Sequence, residues 1–190
     1  MMAFKRFAPA LVLLALLVAA DASGHPVSGQ LVPGNVLDWV HYREIGPTRP
    51  GGRVVAFAVS QQNPYVFYVG AGPGGLWKTV NNGTTFESIF DNEQTSSIGD
   101  VVVAPSDDDI VYVGTGEGNL RNSAYYGDGV YRSNDGGATW SNIGLRESGQ
   151  IGRLVVDPTN PEVAYVAAQG YYYADNPERG VYKTTDGGTA

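Results

Sequence analysis

A segment of about 50 residues recurs three times along the chain, and a repeat of this length constrains the fold more than any other feature of the sequence. Residues 75–78, 129–132 and 180–183 each consist of a glycine, an aliphatic residue, an aromatic residue and a base, in that order. Two apolar runs precede each of these tetrapeptides, and a glycine-rich loop follows it. A chain of this kind is expected to stack one supersecondary unit several times.

Each repeat predicts four short β-strands. In the first repeat the apolar runs are 53–60 and 65–70, the tetrapeptide supplies the third strand, and residues 86–90 supply the fourth. The sequence has no helical periodicity after residue 24. A four-stranded unit has two apolar faces, so neighbouring units must stack around an axis to bury them.

The predicted fold class is therefore all-β, a β-propeller with four-stranded blades. We place the blades at approximately 53–91, 98–145 and 151–190, which makes two full blades and part of a third. Propellers close with ~4 to 8 blades, so we expect these repeats to be the N-terminal part of a longer propeller. The alternative architecture is a small open β-sandwich that is complete in itself.

The loops that follow the tetrapeptides share one pattern, and we call them the glycine loops. They read TVNNGTTF at 79–86, SNDGGATW at 133–140 and TTDGGTA at 184–190. Glycine adopts positive φ without steric cost, an Asn or Asp side chain accepts hydrogen bonds from the loop's own amides, and the aromatic residue can anchor the loop in the core. The pattern predicts a structural role for Asn81, Gly83, Thr85, Phe86, Ser133, Asp135, Gly137, Thr139, Trp140, Thr184, Asp186 and Gly188.

Residues 1–22 have the organisation of a secretory signal peptide. Two basic residues precede an apolar run over 8–20, and small residues flank the predicted cleavage site after Ala22. The run is shorter than the ~20 residues wanted for a membrane span, and an uncleaved N-terminal anchor is the alternative. We expect a secreted or periplasmic protein with no other membrane span. Residues 23–36, rich in Gly, Pro and Ser, are predicted to be a flexible leader before the propeller at 37–190.

Composition excludes several classes of partner and site. The chain has a formal net charge of −7 and no Lys/Arg cluster, which argues against nucleic acid and anionic lipid. It contains no cysteine, so disulfides cannot contribute to its stability. Its two histidines, His25 and His41, lie outside the repeats, which leaves no Ser-His-Asp triad and no histidine-rich zinc site in the blades. The acidic run 107–109 occupies a predicted turn and is interpreted as solvated rather than as a calcium site. We expect no cofactor and no metal.

Propeller geometry brings two positions of each blade to one mouth of the central channel. These are the start of the inner strand and the loop between the second and third strands. In the second and third repeats those loops, 118–128 and 171–179, are long and rich in tyrosine. Such loops on a rigid scaffold suit a peptide, protein or carbohydrate ligand. The predicted ligand site consists of Arg53, Asp100, Glu117, Asn119, Arg121, Asn122, Arg153, Tyr172 and Arg179.

Four charged residues at that mouth are expected within side-chain reach of one another: Arg53, Asp100, Glu117 and Arg153. Arg53, Asp100 and Arg153 each follow a glycine and are assigned to one repeat position. Two interpretations stay open. The arginines bind an anionic ligand, or they pair with the carboxylates and only neutralise the channel.

The glycine loop at 133–140 resembles the Asp-box of bacterial neuraminidases. Residues 37–190 as a whole are similar to the Asp-box propellers of sortilin and of the xyloglucanase type of glycoside hydrolase. The similarity is carried by fragments such as IGPTRPGGRVVAFAV, VGTGEGNLRNS and GDGVYRSNDGGATW. By analogy with sortilin, the resemblance favours a secreted binding or interaction module with its ligand at the mouth, rather than an enzyme.

The resemblance also carries an alternative, a glycoside hydrolase. In xyloglucanases of this type a catalytic Asp lies in a TDVGGAYR-like segment, and alignment with residues 71–78 places Gly72 at the position of that Asp. An inverting glycosidase needs two carboxylates, so both would have to come from outside this chain, and no catalytic residue is assigned here. Neuraminidases use three arginines and a tyrosine nucleophile, and Arg53 and Arg153 are the arginines that could be nominated.

Overall fold

A computed structural model describes residues 52–189. The predicted signal peptide at 1–22, the predicted leader at 23–36 and the segment 37–51 lie outside the described residues. The described part is almost entirely β-structure with one 3₁₀ turn, Arg146–Ser148. Its strands are β1 Val54–Val59, β2 Phe67–Ala71, β3 Gly75–Thr79, β4 Glu87–Ser88, β5 Ile98–Ala104, β6 Asp107–Thr115, β7 Val130–Ser133, β8 Ser141–Gly144, β9 Ile151–Val156, β10 Ala164–Ala168 and β11 Gly180–Thr184.

The strands form three antiparallel sheets in sequence order. Blade 1 is β1-β2-β3-β4, blade 2 is β5-β6-β7-β8, and blade 3 is β9-β10-β11. The first strand of each sheet contacts the first strand of the next, β1 with β5 and β5 with β9, as inner strands of a propeller do. The prediction of an all-β propeller with four-stranded blades is confirmed.

Strand register defines which residues are equivalent in the three blades. Ala56 lies opposite Gly70, Asp100 opposite Gly114, and Arg153 opposite Ala167. In each inner strand a β-bulge directly precedes this position. On the other side of the bulge the equivalent residues are Val54, Ile98 and Ile151. The residue before each of these is Arg53, Ser97 and Gln150, so these three share a repeat position.

The assignment of Arg53, Asp100 and Arg153 to one repeat position is therefore wrong. Asp100 and Arg153 share a position, but their counterpart in blade 1 is Ala56, three residues beyond Arg53. The glycine that precedes each of these three residues does not mark the same position in every blade. In blades 2 and 3 that glycine is the bulge residue, whereas in blade 1 the bulge residue is Val55.

The core lies between the sheets, in two clusters. The first joins blade 1 to blade 2 and includes Tyr68, Leu76, Ile98 and Val111, while the second joins blade 2 to blade 3. Glycines in the second strands let the next blade approach closely. A Cβ atom added at Gly70 would lie 2.7 Å from Ile98 Cγ2.

The glycine loops also join neighbouring blades through hydrogen bonds. Tyr68 and Lys78 of blade 1 both donate to the carbonyl oxygen of Gly136 in the loop of blade 2, at 2.9 and 2.7 Å. Burial and nearby carboxylates raise the pKa of Tyr68 to about 12, so its hydroxyl remains a donor at neutral pH. Trp140 donates its indole N–H back to the carbonyl of Ile89 in blade 1 at 2.8 Å.

Among residues 52–189, no helix is long and apolar enough to span a bilayer.

Candidate ligand-binding site

Long loops gather at one end of the sheets, where the inner strands begin. We call this end the mouth. The second strand of each blade ends here. In each blade the residue after that strand donates its backbone N–H to the residue before the inner strand, at 2.8 Å: Gly72 to Arg53 O, Gly116 to Ser97 O, and Gln169 to Gln150 O. The loops 117–128 and 170–179 begin directly after two of these backbone hydrogen bonds, so their side chains project from a fixed point at the end of the sheet.

Glu117 is the central charged residue of the mouth. Its side chain is completely buried, and Arg53 of blade 1 holds it through Nε, 2.9 Å from Oε1, and through Nη2. Arg121 Nε lies 3.8 Å from the same oxygen. The second oxygen, Oε2, has no hydrogen-bond partner among the described residues. A buried carboxylate oxygen without a donor is costly, so this atom is placed to accept a hydrogen bond from a bound group or from water.

Gly72 lies against the Glu117 carboxyl group. A Cβ atom added at Gly72 would lie 3.3 Å from Glu117 Cδ. The position that the family resemblance assigns to a catalytic Asp therefore has no side chain of its own here, and the Glu117 carboxylate occupies the adjacent space.

Tyrosines of the two long loops pack around Glu117 and fix the loops to each other. Tyr172 Oη lies 3.1 Å from the carbonyl oxygen of Glu117 and 2.7 Å from Gln169 Oε1. Burial, followed by the charge of Glu117, raises the pKa of the Tyr172 phenol. The rings of Tyr126 and Tyr171 meet edge to face at 4.7 Å. The loops are therefore held in place by aromatic contacts as well as by backbone bonds.

Asp100 and Arg153 form a second, separate pair. Asp100 Oδ2 accepts the backbone N–H of Leu154 at 2.7 Å, Oδ1 accepts that of Val101 at 3.0 Å, and Arg153 Nε lies 3.7 Å away. Burial raises the pKa of Asp100, against the opposing effect of these backbone donors and of Arg153. The Asp100 carboxylate thus joins the inner strands of blades 2 and 3.

The four charged residues expected in one cluster are arranged as two pairs. Arg53 binds Glu117 across blades 1 and 2, and Arg153 approaches Asp100 across blades 2 and 3. No ion pair connects these two pairs within residues 52–189. Arg153 is 74% exposed in its side chain, so it remains available to a ligand.

The remaining predicted site residues differ in whether their side chains are already engaged in hydrogen bonds within the chain. Asn119 and Asn122 are exposed, and Asn122 Oδ1 lies 3.4 Å from the hydroxyl of Tyr173. Arg179 donates to the carbonyl oxygens of Gln169 and Tyr171 at 2.7 and 3.0 Å. Its guanidinium group therefore stabilises its own loop, which favours a structural role.

Sequence reasoning missed Gln150 and Ser148. Both are fully buried, and neither the Gln150 amide nor the Ser148 hydroxyl has a side-chain hydrogen-bond partner among the described residues. Gln150 occupies the repeat position of Arg53, so a sequence alignment made through the bulge would have identified it. Over the described part of the chain, no group of three or more His, Cys, Asp or Glu residues is placed to hold a metal ion.

Comparisons with known proteins agree with this fold. No protein-family model matches the chain. A xyloglucanase of Hypocrea jecorina (strain QM6a) is 28% identical over 178 residues, which is 85% of this chain and 20% of the relative. The chain thus spans about a fifth of the length of the curated relative that it matches.

Two solved structures share the architecture. The crystal structure of an ancestral GH74 enzyme superposes with a TM-score of 0.58 at 20% identity, covering 76% of this chain and 18% of that one. YCF48 from Cyanidioschyzon merolae gives a TM-score of 0.50 at 19% identity, covering 76% of this chain and 40% of that one. At these identities the likeness establishes the propeller fold alone.

Proposed function

We propose that this chain is part of a secreted propeller of the glycoside hydrolase type, and that it contributes to binding a xyloglucan-like polysaccharide at the mouth. The observation that carries the proposal is the 28% identity with a xyloglucanase over 85% of the chain. This relation favours the hydrolase alternative over the binding module that the sequence favoured.

The mouth residues suit the recognition of a sugar chain. Tyr125 and Tyr173 are exposed on the long loops and present flat, amphipathic faces on which sugar rings can stack. Glu117 Oε2 has no hydrogen-bond partner among the described residues and can accept one from a ligand, and the guanidinium group of Arg121 can donate one. Hydroxyl groups of a neutral polysaccharide can serve as partners for both.

The chemistry of glycoside hydrolysis requires two carboxylates on opposite sides of the scissile bond. Gly72 supplies none, and Glu117 is engaged by Arg53. We therefore assign substrate binding to this chain and place the catalytic pair in polypeptide outside it.

Affinity electrophoresis of the 190-residue chain in gels containing xyloglucan tests this assignment. We expect retardation by xyloglucan and weaker retardation by an unbranched β-glucan. Tyr173→Ala should weaken retardation about fivefold, which corresponds to a loss of about 1 kcal/mol. Glu87→Gln, an exposed change on the outer strand β4, is the matched control and should leave retardation unchanged.

Absence of retardation, or equal retardation of wild type and Tyr173→Ala, would contradict polysaccharide binding at the mouth. Release of reducing ends by the isolated chain would contradict the placement of the catalytic pair outside it.

A second candidate, a binding module for a carboxylate-terminated peptide, is favoured by the exposed guanidinium groups of Arg121 and Arg153. Arginine binds carboxylates through paired charge-assisted hydrogen bonds. Calorimetric titration with peptides that carry a free or an amidated C-terminus separates the two candidates. Binding that requires the free carboxylate and is lost in Arg153→Ala would support this second function.

A further inference from the structure

The turn that leads from β8 into β9 encloses polar side-chain atoms that have no partner in the described part of the protein. It comprises residues 145–150, at the mouth end of blade 3. Ser148 and Gln150 are both 0% exposed. The Ser148 hydroxyl oxygen and both polar atoms of the Gln150 amide have no hydrogen-bond partner among residues 52–189. We call Ser148 Oγ, Gln150 Nε2 and Gln150 Oε1 the enclosed polar atoms.

The backbone of the turn holds Ser148 and Gln150 close together. Gly149 between them has φ 68° and ψ −62°, and Gln150 N–H donates to Ser148 O at 2.7 Å. This is a γ-turn of the rare, strained type, in which a hydrogen bond joins residues only two positions apart. The side chains of Ser148 and Gln150 therefore leave the backbone at neighbouring points.

The main chain of the turn is bonded to both adjacent blades. Gly149 O accepts the Gly127 N–H of blade 2 at 2.7 Å, and Gln150 O accepts the Gln169 N–H of blade 3 at 2.8 Å. Main-chain groups are thus paired, while the side chains of Ser148 and Gln150 are not.

Loop 170–179 lies against this turn. A Cβ atom added at Gly149 would lie 3.1 Å from Tyr171 Cδ1, so the tyrosine ring packs directly on the turn. Asn176 Nδ2 donates to the carbonyl oxygen of Glu147 at 3.2 Å. These contacts hold the loop closed over the turn.

The repeat position of Gln150 has a protein partner in the other two blades. In blade 1, Arg53 binds the Glu117 carboxylate. In blade 2, Ser97 Oγ donates to the carbonyl oxygen of Tyr125 at 3.2 Å. Gln150 is the member of this set whose side chain is buried without such a bond.

Buried polar side chains of native proteins nearly always have a partner, either in the protein or in ordered water. The enclosed polar atoms have essentially no exposed surface, so a polypeptide or a sugar cannot reach them while the turn keeps this arrangement. Water can, because it is enclosed as the chain folds. A buried water typically makes about three hydrogen bonds. The enclosed polar atoms offer it a hydroxyl, an amide donor and a carbonyl acceptor.

We propose that Ser148 and Gln150 form an internal water-binding site, in which one shared water bridges the Ser148 hydroxyl and the Gln150 amide. This water completes the hydrogen bonding of the turn that joins blades 2 and 3 at the mouth. It is a structural ligand of that junction, and its site is separate from the sugar contacts proposed for Tyr125, Tyr173 and Glu117.

Nuclear magnetic resonance of the 190-residue chain, labelled selectively in glutamine, tests the site directly. The Gln150 side-chain amide, assigned from its loss in Gln150→Met, should show Overhauser contacts with water. Their sign should be opposite in the laboratory and rotating frames, as for a long-lived water. The amide of Gln94, which is exposed, is the control and should show no such contact. A Gln150 amide without this contact would overturn the proposal.

The stability of Gln150→Met separates a hydrated site from a dry one. Methionine has a similar length and no amide, so it relieves an unpaired buried amide but breaks hydrogen bonds to a bound water. With the water in place, the unfolding equilibrium constant in urea should rise at least about tenfold. Gln94→Met, the same change at an exposed position, should leave it unchanged. A constant that falls or stays the same in Gln150→Met would contradict a hydrated site.

Combining Gln150→Met with Ser148→Ala tests whether one water serves both side chains. The first substitution already disturbs a shared water, so the second should cost less in its presence. The rise in the unfolding constant of the double variant should fall short of the product of the two single rises by at least about twofold. Ser123→Ala, an exposed change, is the control for the serine substitution. Single effects that simply multiply would rule out the shared water.

Discussion

Two buried carboxylates at the mouth, Asp100 and Glu117, have different surroundings and therefore different expected roles. Asp100 accepts two backbone N–H groups, which satisfy it without any ligand. Glu117 is held through one oxygen by arginine side chains, and its other oxygen has no described partner. Glu117 is thus the better candidate for ligand contact, and Asp100 the better candidate for a structural role.

Arg53→Ala should lower the free energy of unfolding by about 1–3 kcal/mol, because it leaves the buried Glu117 carboxylate without its nearest cation. Arg153→Ala is the control, since Asp100 keeps its backbone donors and Arg153 is largely exposed. It should change the stability by less than about 1 kcal/mol. Urea unfolding of both variants measures the difference. Equal losses would contradict the roles assigned to the two pairs.

The glycine loops show that Asp and Asn can perform the same task. Asp135 accepts the Thr139 N–H at 2.8 Å and the Thr139 hydroxyl at 2.6 Å, and Asn81 accepts the Thr85 N–H at 2.9 Å. Hydrogen bonds from Thr139, followed by that from Ser133, lower the pKa of Asp135 to about 2. The charge of Asp135 therefore adds stability that an amide at this position cannot supply.

Replacing Asp135 with Asn should change how stability depends on pH. Because the pKa of Asp135 is depressed in the folded state, its contribution is complete above the unfolded value of 3.8 and is lost as the pH falls toward 2. The difference in unfolding free energy between wild type and Asp135→Asn should shrink over that interval in urea titrations. Asp135→Ala should lose about 1–3 kcal/mol at neutral pH through unpaired loop amides. A difference that stays constant from pH 6 to pH 2 would contradict the assigned pKa.

At the scale of single residues, the sequence predicted that Glu117 and Tyr172 lie near each other at the mouth, but it did not predict how the charged residues pair. Glu117 and Tyr172 were identified because long loops follow the second strands. The position of Arg53 was misassigned because a bulge shifts the inner strand relative to its glycine, and a bulge depends on pairing with another strand. The burial of Gln150 was missed for the same reason.

At the scale of elements, close approach between blades depends on glycines in the second strands. A Cβ atom at Gly114 would lie 2.4 Å from Ile151 Cγ2 of the next inner strand. The third blade has Ala167 at this position. Ile151 of blade 3 therefore packs so closely on Gly114 of blade 2 that residue 114 has no room for a methyl group.

Gly114→Ala should therefore destabilise the chain by about 1–3 kcal/mol through overpacking. Ile151→Ala alone should cost about 2–5 kcal/mol, and the double variant should lose less than the sum, with a coupling of at least about 0.5 kcal/mol. Gly180→Ala, where the nearest atom to the added Cβ is 3.8 Å away, is the control. Additive losses in thermal or urea unfolding would argue against this contact.

Strand order could be predicted from sequence because each strand is short, apolar and bounded by turn residues. The hydrogen bonds from Tyr68 and Lys78 to the glycine loop of the next blade could not be predicted, because they join residues more than fifty positions apart and leave no local sequence pattern. The loops were expected to close on themselves, which they do, and they also bind the neighbouring blade.

At the scale of the whole molecule, blade 1 exposes Phe57 at 64% and blade 3 exposes Val181 at 78%, on sheet faces whose counterparts in blade 2 are buried between blades. The 190-residue chain produced alone should therefore self-associate through these faces, and its apparent Tm should rise with protein concentration. The Tm of Phe57→Asp should be lower at high concentration and independent of it. Differential scanning calorimetry at several concentrations measures both. A wild-type Tm that does not move would contradict association through these faces.

The period of the repeats was enough to predict the propeller, because a unit of this length with four strands must stack to bury both its faces. The function could not be predicted in the same way, because the glycine loops that carry the family resemblance belong to the scaffold and do not distinguish a binding module from a hydrolase. The sequence favoured a binding module by analogy with sortilin, whereas the 28% identity with a xyloglucanase supports the proposed hydrolase-type propeller.

A main-chain carbonyl oxygen of the glycine loop accepts at both blade junctions: Gly136 O lies 2.7 Å from Lys78, and Gly187 O lies 3.5 Å from Arg132, whose shorter bonds go to the Glu162 carboxylate. Mutation of a side chain cannot delete such an atom. A blade that is duplicated or lost would still present this carbonyl to its new neighbour. Recombination between repeats should therefore preserve this contact, whereas a side-chain pair such as Arg132 with Glu162 would have to be matched again.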